Sequence, residues 1–512
     1  MRWTYVVGVF LLILAFETGE EPRGDAASRL LITKQLLADG SVHLPRSHPE
    51  WWLIQTPEGW TSFYGIGQTL LFVPFELAGG LLSLAAPGGG LAAVLQQFPL
   101  KYLYVPLIGL GFFLALRALL EALGLTAWEA ACASLLVTLS SVTAHYVLQS
   151  FQEEAVVGLL ACLSLRSALL FGRSLHRRYA VEAGVLFGCM LLFRVNAIFV
   201  FIPVAMLFAQ GLRAQRVQPA ALGSLLAAFA AGAAGPAAIH AVFAYLRFGD
   251  PLSTGYDQLS LEDAPLPLWG PFEPAAVASL LFGLGKGLFI YSPLLAAAVW
   301  GVWIDRSERR LYGIGALAAL AGSVILSAFF YTPDGCWSWG ARYQVHVVPL
   351  FTYPAWVGIR DLLQKPLGRP LVGVATALGV LFQFCALIAP ERMEYSQLPI
   401  NWDWKGMEAG CPVIQDRQFP MRLENIATAL LTVGAGAKLM DVSDPVIVRE
   451  FGYFWPMRIG RHYHGWTRVV IAGVWLTVLA AALICLYHSL WLNRAGQDAA
   501  VPDKHRSSYR RR

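Results

Sequence analysis

MRWTYVVGVFLLILAFETGEEPRGDAASR, residues 1–29, decides the fold. One early charge, Arg2, precedes an apolar run that ends at Phe16. A charge-dense stretch from Glu17 to Arg29 follows at once, with Asp25 inside it. The run is short enough for the core of a signal peptide. Its nearest small-x-small triplet, Gly24-Asp25-Ala26, lies beyond several charges and makes a poor cleavage site. The segment therefore reads as an uncleaved first helix with its N-terminus inside. The charged stretch then lies just outside the membrane.

The rest of the chain agrees with a membrane setting. Of 512 residues, 56% are hydrophobic and 14% charged, against about 25% charged in soluble domains. Apolar runs recur at 2–16, 66–86, 99–119, 127–147, 151–171, 180–193, 196–210, 219–246, 287–304, 311–331, 343–360, 370–389 and 467–491. The expectation is an all-α polytopic protein, a bundle of about 11–13 apolar helices with external surface helices and loops. Residues 1–389 form its main module, 390–466 an external loop region, and 467–512 a last helix with a basic tail.

The formal net charge of +5 sits largely in short loops and in Lys504–Arg512. Basic residues at Arg173–Arg178, Arg213/Arg216, Arg306–Arg310 and Arg360–Arg369 mark inner loops. This pattern argues for membrane lipids as partners and against nucleic acid. It also sets a parity problem. Residue 17 is outside and residue 173 inside, yet four apolar runs lie between them. The run 66–86 is the suspect, because it carries Gly67, Pro74, Glu76, Gly79 and Gly80; it reads as re-entrant or as lying against the membrane surface.

The external segments 17–65, 248–286, 332–342 and 390–466 are rich in Trp, Tyr, Pro and Gly. The first contains a surface helix over 26–38, where Ala27, Leu30, Leu31, Leu37 and Ala38 recur at helical spacing and Gly40 ends it. Asp25 just before that helix is as well explained by an N-cap as by a functional carboxylate. Arg194 interrupts the stretch 180–210, where an end-of-helix cation reaching for the interface is the favoured reading. Lys286, after Gly283-Leu284-Gly285, is equally a site residue or such a cation. Glu153-Glu154 reads as the acidic start of a helix.

Cys336-Trp337-Ser338-Trp339-Gly340-Ala341-Arg342-Tyr343 looks more like a pocket than a belt of interface aromatics. A guanidinium fork suits phosphate, and Trp or Tyr faces suit sugar rings. Seven cysteines include no C-x-x-C and no zinc spacing. Cys336 and Cys411, both in external loops, could be bridged or be two free thiols.

Several segments together resemble the GT-C glycosyltransferases. Asp25 with Ser28-Arg29-Leu30 and Leu36-Leu37-Ala38-Asp39-Gly40-Ser41 resembles their first external loop. Phe63-Tyr64-Gly65-Ile66-Gly67-Gln68 with Pro74 resembles the next segment of one bacterial branch. Phe248-Gly249-Asp250-Pro251 with Gly255-Tyr256, Gly285-Lys286-Gly287-Leu288-Phe289 with Tyr291-Ser292-Pro293, and Trp337–Tyr343 continue the order over roughly residues 1–360. The resemblance implies a bacterial inner-membrane enzyme that moves a sugar from a polyprenyl-phosphate donor to an acceptor on the periplasmic side. It implies Asp25 as base or metal ligand. The acidic residue that follows the carboxylate in these enzymes is Ala26 here, so a divalent metal stays an open alternative. The leaving phosphate needs cations, which Arg342, Lys286 and Arg247 supply; Trp337, Trp339, Tyr343, Tyr64 and Tyr256 would contact sugar or lipid. Neither sugar nor acceptor can be read. A lipid or solute transporter and a non-catalytic scaffold are the rival readings, and the lack of an internal repeat weighs against the first.

Overall fold

The computed structural model describes residues 3–19, 21–22, 24–46, 53–86, 88–216, 219–258, 270–330, 338–388 and 466–500. Cys336, Trp337 and Cys411, and with them the disulfide, lie outside the described residues, as does nearly all of the loop region 390–466.

The described chain is helical apart from one short hairpin. In order, it comprises α1 (Trp3–Phe16), α2 (Asp25–Asp39), β1 (Ile54–Thr56), β2 (Gly59–Thr61), α3 (Gly67–Leu84), α4 (Gly90–Ala122), α5 (Ala127–Leu139), α6 (Thr143–Leu148) and α7 (Glu154–Ser174). Then follow α8 (Arg177–Phe193), α9 (Val195–Ala214, opening with a 3-10 turn), α10 (Pro219–Phe248), α11 (Pro274–Phe282), α12 (Leu288–Tyr291) and α13 (Ala296–Ile304). The last are α14 (Arg310–Ser327), α15 (Thr352–Leu363), α16 (Gly368–Ile388) and α17 (Trp466–Ala500). Eight helices among the described residues are long and apolar enough to cross a membrane. The protein is an all-α multi-pass membrane protein.

The expected span 343–360 opens with 3-10 turns at Arg342–Gln344 and Val348–Phe351 before α15, and two further expected spans are broken. The run 127–147 divides into α5 and α6 at Ser140-Ser141-Val142, and 287–304 divides into α12, a 3-10 turn and α13 at Ser292-Pro293. The two breaks meet, since the Ser292 hydroxyl accepts the Val142 amide at 2.9 Å. Each break frees backbone groups that an unbroken helix would satisfy, and a buried side chain answers one of them. Elsewhere small residues let helices approach closely. Gly184 and Gly188 of α8 face α10, where a Cβ at Gly188 would stand 2.9 Å from Pro236.

The parity problem turns on how α3 and α4 sit against α1. Helix α1 packs antiparallel to α4, with Ile13 against Gly109 and Tyr5 against Arg117. Near its inner end, the α4 carbonyl of Ala122 accepts a hydrogen bond from Arg173, a residue of the basic loops. The outer end of α1 thus lies level with about residue 106 of α4. Residues 90–105 of α4 reach roughly 24 Å further at 1.5 Å per residue. Helix α3 pairs with that extension, Gly79 against Gln96 and Phe72 against Tyr104, with ring centroids 5.1 Å apart. Lys101 Nζ lies 3.1 Å from Glu21, fixing the same level. The α3–α4 hairpin therefore extends beyond the Glu17 end of α1. Its Leu77, Leu81, Leu84, Leu91 and Val94 are exposed.

A test follows from this register. With the native cysteines replaced by serine, Ala85→Cys at the hairpin tip is expected to react with a membrane-impermeant maleimide in intact cells. Labelling only after permeabilisation would place the tip inside and restore α3 as a crossing.

Candidate functional site

Helix α2 follows its expected bounds closely. Gly40 ends it in the left-handed region, φ 70°, with its amide bonded to the Leu36 carbonyl. The buried face differs from expectation: it is Ala26, Arg29, Leu30 and Thr33, while Leu37 is exposed. Thr33 Oγ1 donates to the Thr69 carbonyl at 2.9 Å, which pins α2 against the start of α3.

Asp25 is not a cap. Gly24 holds the N-cap position and makes no side-chain cap bond. The Asp25 carboxylate turns inward instead. Its Oδ1 accepts from the Tyr64 hydroxyl at 2.6 Å, and its Oδ2 accepts from Arg342 Nη2 at 2.8 Å. Its side chain keeps 14% exposure.

Arg342 joins this carboxylate to a deeper layer. Its Nη2 also donates to Gln152 Oε1 at 2.9 Å, and its Nε donates to Glu154 Oε1 at 2.6 Å. Arg194 lies on the same side, 3.0 Å from Glu154 and 3.3 Å from Glu153. Arg29 Nη1 donates to Glu153 and to Gln68, each at 2.6 Å. The guanidinium of Arg29 also stacks over the Tyr64 ring, 4.4 Å from its centroid. Three arginines and three carboxylates thus alternate through the cluster, and their formal charges cancel. Isolated ions at such depth would be prohibitively costly, and mutual pairing is what makes them tolerable.

Local sequence explains how distant segments meet here. Gly65 and Gly67 leave room for the end of α8; a Cβ at Gly67 would stand 2.6 Å from the Phe193 ring. Arg194, the next residue, lies beside Glu153 and Glu154. Gly255 adopts φ 80° and lies against the Phe63 backbone. It sets Tyr256 edge-on to Tyr64, with centroids 6.4 Å apart.

Burial alone would push the Asp25 carboxyl up, but Arg342 and then Arg29 outweigh it and hold the group below the usual carboxylate range. Burial and the adjacent Asp25 push the Tyr64 phenol well above its ordinary value, so it remains a donor. Folded Asp25 therefore binds its proton less readily than the unfolded chain does. Its contribution to stability is full above the unfolded value near ~3.9 and is lost as pH falls through the lower folded one. The difference in thermal stability between wild type and Asp25→Asn is expected to narrow on acidification below about pH 4; a constant difference would remove Asp25 from this account.

Other expected site residues take other places. Arg247 is buried and its guanidinium holds the carbonyls of Ser62 at 2.9 Å, Tyr64 at 2.7 Å and Phe243 at 3.2 Å. It clamps the Tyr64 loop to α10 and positions the site; it is not aimed at a ligand. Trp339 is fully buried, with its indole N–H on Gln383 Oε1 at 3.0 Å and its ring against Tyr291. It is a core residue between Tyr291 and Gln383. Lys286 is buried with Nζ 3.5 Å from Ser338 Oγ, at the segment leading into Arg342. Tyr343 lies under Arg194, 5.3 Å from ring centroid to guanidinium carbon.

No family model and no curated protein matches the chain.

Arg194 corrects the sequence expectation. It does not reach for the interface but joins the cluster, and Glu153-Glu154 do more than open a helix. The available signal was the placement of 149–154 between two apolar runs, at the end that the loop charges assign to the same side as Asp25. Among the described residues no group of three or more His, Cys, Asp and Glu side chains is arranged to hold a metal ion. Each carboxylate of the cluster faces an arginine, and Glu154 Oε2 has no hydrogen-bond partner among the described residues.

Proposed function

We propose that this protein is a membrane glycosyltransferase that moves a sugar from a polyprenyl-phosphate donor to an acceptor hydroxyl at the external face. The observation that carries the reading is the contact between Asp25 Oδ2 and Arg342 Nη2, 2.8 Å apart, at the partly open edge of a buried charge cluster. It sets a candidate base beside a candidate phosphate ligand, as transfer from a phosphate-linked sugar needs. The setting is the periplasmic side of a bacterial inner membrane, following the basic inner loops and the resemblance of the motifs.

In this reading the acceptor O–H gives its proton to Asp25. The acceptor oxygen attacks the anomeric carbon, and the bond from that carbon to the phosphate oxygen breaks. The electron pair stays on the phosphate, which Arg342 stabilises, and the anomeric configuration inverts. Tyr64 and Arg29 orient Asp25, Glu154 and Gln152 orient Arg342, and Tyr256 lines the approach to Tyr64. The test is to offer purified protein a panel of polyprenyl-phosphate sugars with envelope glycans as acceptors and to weigh the products. Transfer supports the reading, and none across the panel opposes it.

Arg342→Lys is expected to weaken binding of polyprenyl phosphate at least about tenfold, because an ammonium cannot reproduce the planar fork. Unchanged affinity in equilibrium binding would take Arg342 out of the donor site.

A second reading, a lipid or solute transporter, draws on the paired breaks at Val142 and Ser292, since discontinuous helices often line transport sites. It predicts passage of an unmodified substrate across a proteoliposome membrane without chemical change.

A further inference from the structure

Both oxygens of Asp25 are occupied in the ligand-free chain: Tyr64 donates to one and Arg342 to the other. A carboxylate so held is a weak base. The two contacts differ in how firmly they are anchored. Tyr64 is fixed by the Arg29 guanidinium against its ring and by Arg247 on its carbonyl. Arg342 is fixed through its Nε by Glu154, whose side chain has 0% exposure, and through Nη2 by Gln152. The Asp25–Arg342 contact keeps some exposure, 14% for the Asp25 side chain and 10% for that of Arg342, so an anion can approach Nη2 there.

We propose that the Asp25–Arg342 pair is a latch that the phosphate of a polyprenyl phosphate opens. The phosphate takes the Nη2 donor from Asp25, Arg342 keeps its hold on Glu154, and Asp25 is left with Tyr64 alone. The carboxylate then gains basicity only when a donor is in place. The inference rests on the proposed function and deepens it: donor binding switches on the base. The device also protects the site, because an acceptor or water meeting the protein before the donor finds a carboxylate with both oxygens engaged. The groups that face Asp25 are Arg342 from the turn before α15, Arg29 from its own helix, Glu153 from the start of α7, Tyr64 from the loop before α3 and Tyr256 from the loop after α10. Of the two cations, only Arg342 is a direct partner of the carboxylate. Arg29 is turned to Glu153 and Gln68.

The test is infrared difference titration of the whole protein in neutral-lipid nanodiscs. Loss of a carboxyl band in Asp25→Asn assigns Asp25. Adding polyprenyl phosphate is expected to raise the Asp25 titration midpoint by about one pH unit or more, the usual effect of removing an adjacent arginine. Binding of polyprenyl phosphate with an unmoved midpoint would overturn the latch and leave the functional reading standing. No binding at all would overturn the functional reading itself. Inorganic phosphate at the same concentration separates the sources. An unmoved midpoint with it supports a lipid-linked ligand, and an equal rise would overturn the requirement for the polyprenyl chain.

Discussion

Asp25→Asn is expected to lower sugar transfer by about 100- to 10,000-fold, the usual contribution of a positioned general base. The amide keeps the shape of the carboxylate and can still accept from Tyr64 or Arg342. The surrounding cluster should therefore hold. Arg342 retains Glu154 and Gln152, so it is not left as an unpaired buried charge. The loss should appear in the chemical step with donor affinity nearly kept or improved, because the competing carboxylate is gone. Single-turnover transfer beside equilibrium donor binding separates the two. Retained transfer in Asp25→Asn would remove Asp25 as base, whatever the binding result.

Glu154→Ala is expected to act on the fold. Glu154 is buried completely, and both Arg342 and Arg194 lean on its Oε1, at 2.6 and 3.0 Å. Removing it leaves three arginines to share Asp25 and Glu153. Deleting one member of a buried ion network typically costs about 3–5 kcal/mol, since the remaining charge is desolvated without compensation. Thermal unfolding in detergent should show a large drop, with Glu154→Gln intermediate because the amide oxygen still accepts from Arg342. A stability change within about 0.5 kcal/mol, as at ordinary surface sites, would mean that water or other groups satisfy these arginines. The outcome contrasts with Asp25→Asn: the outer carboxylate governs transfer, the inner one governs folding.

Much of the fold was legible because apolar length and loop charge are strong signals. The helix 26–38, ended by Gly40, came from spacing and a glycine in the left-handed region. That 66–86 does not cross is an expectation from counting charges, whereas α3 is itself long and apolar enough to span a membrane. What remained hidden were the breaks at Ser140–Val142 and Ser292-Pro293. An apolar run gives no sign of where a helix stops when tertiary partners, here Ser292 on the Val142 amide, satisfy the freed backbone.

The candidate site was half legible. Asp25, Arg342, Tyr64 and Tyr256 lie in short motifs dense in polar and aromatic residues, and they converge. Arg194, Glu153 and Glu154 were read as helix-end charges, since each sits at a helix boundary where such charges are common. Only the packing of α8 against Gly65 and Gly67 turns Arg194 toward them. Arg247 and Trp339 erred in the other direction. Arg247 was expected as a phosphate cation and Trp339 as a sugar contact, yet burial commits one to backbone carbonyls and the other to Gln383.

The central claim is that Asp25 and Arg342 act together on a phosphate-linked sugar at the external face. Mass spectrometry of the lipid products tests it most directly, with wild type and Asp25→Asn compared in proteoliposomes given a polyprenyl-phosphate sugar and acceptor glycans. The account predicts that wild type releases polyprenyl phosphate and gives an acceptor heavier by one sugar, and that Asp25→Asn binds the donor but releases almost none. Equal release by both proteins, or an intact donor that merely changes leaflet, would contradict it.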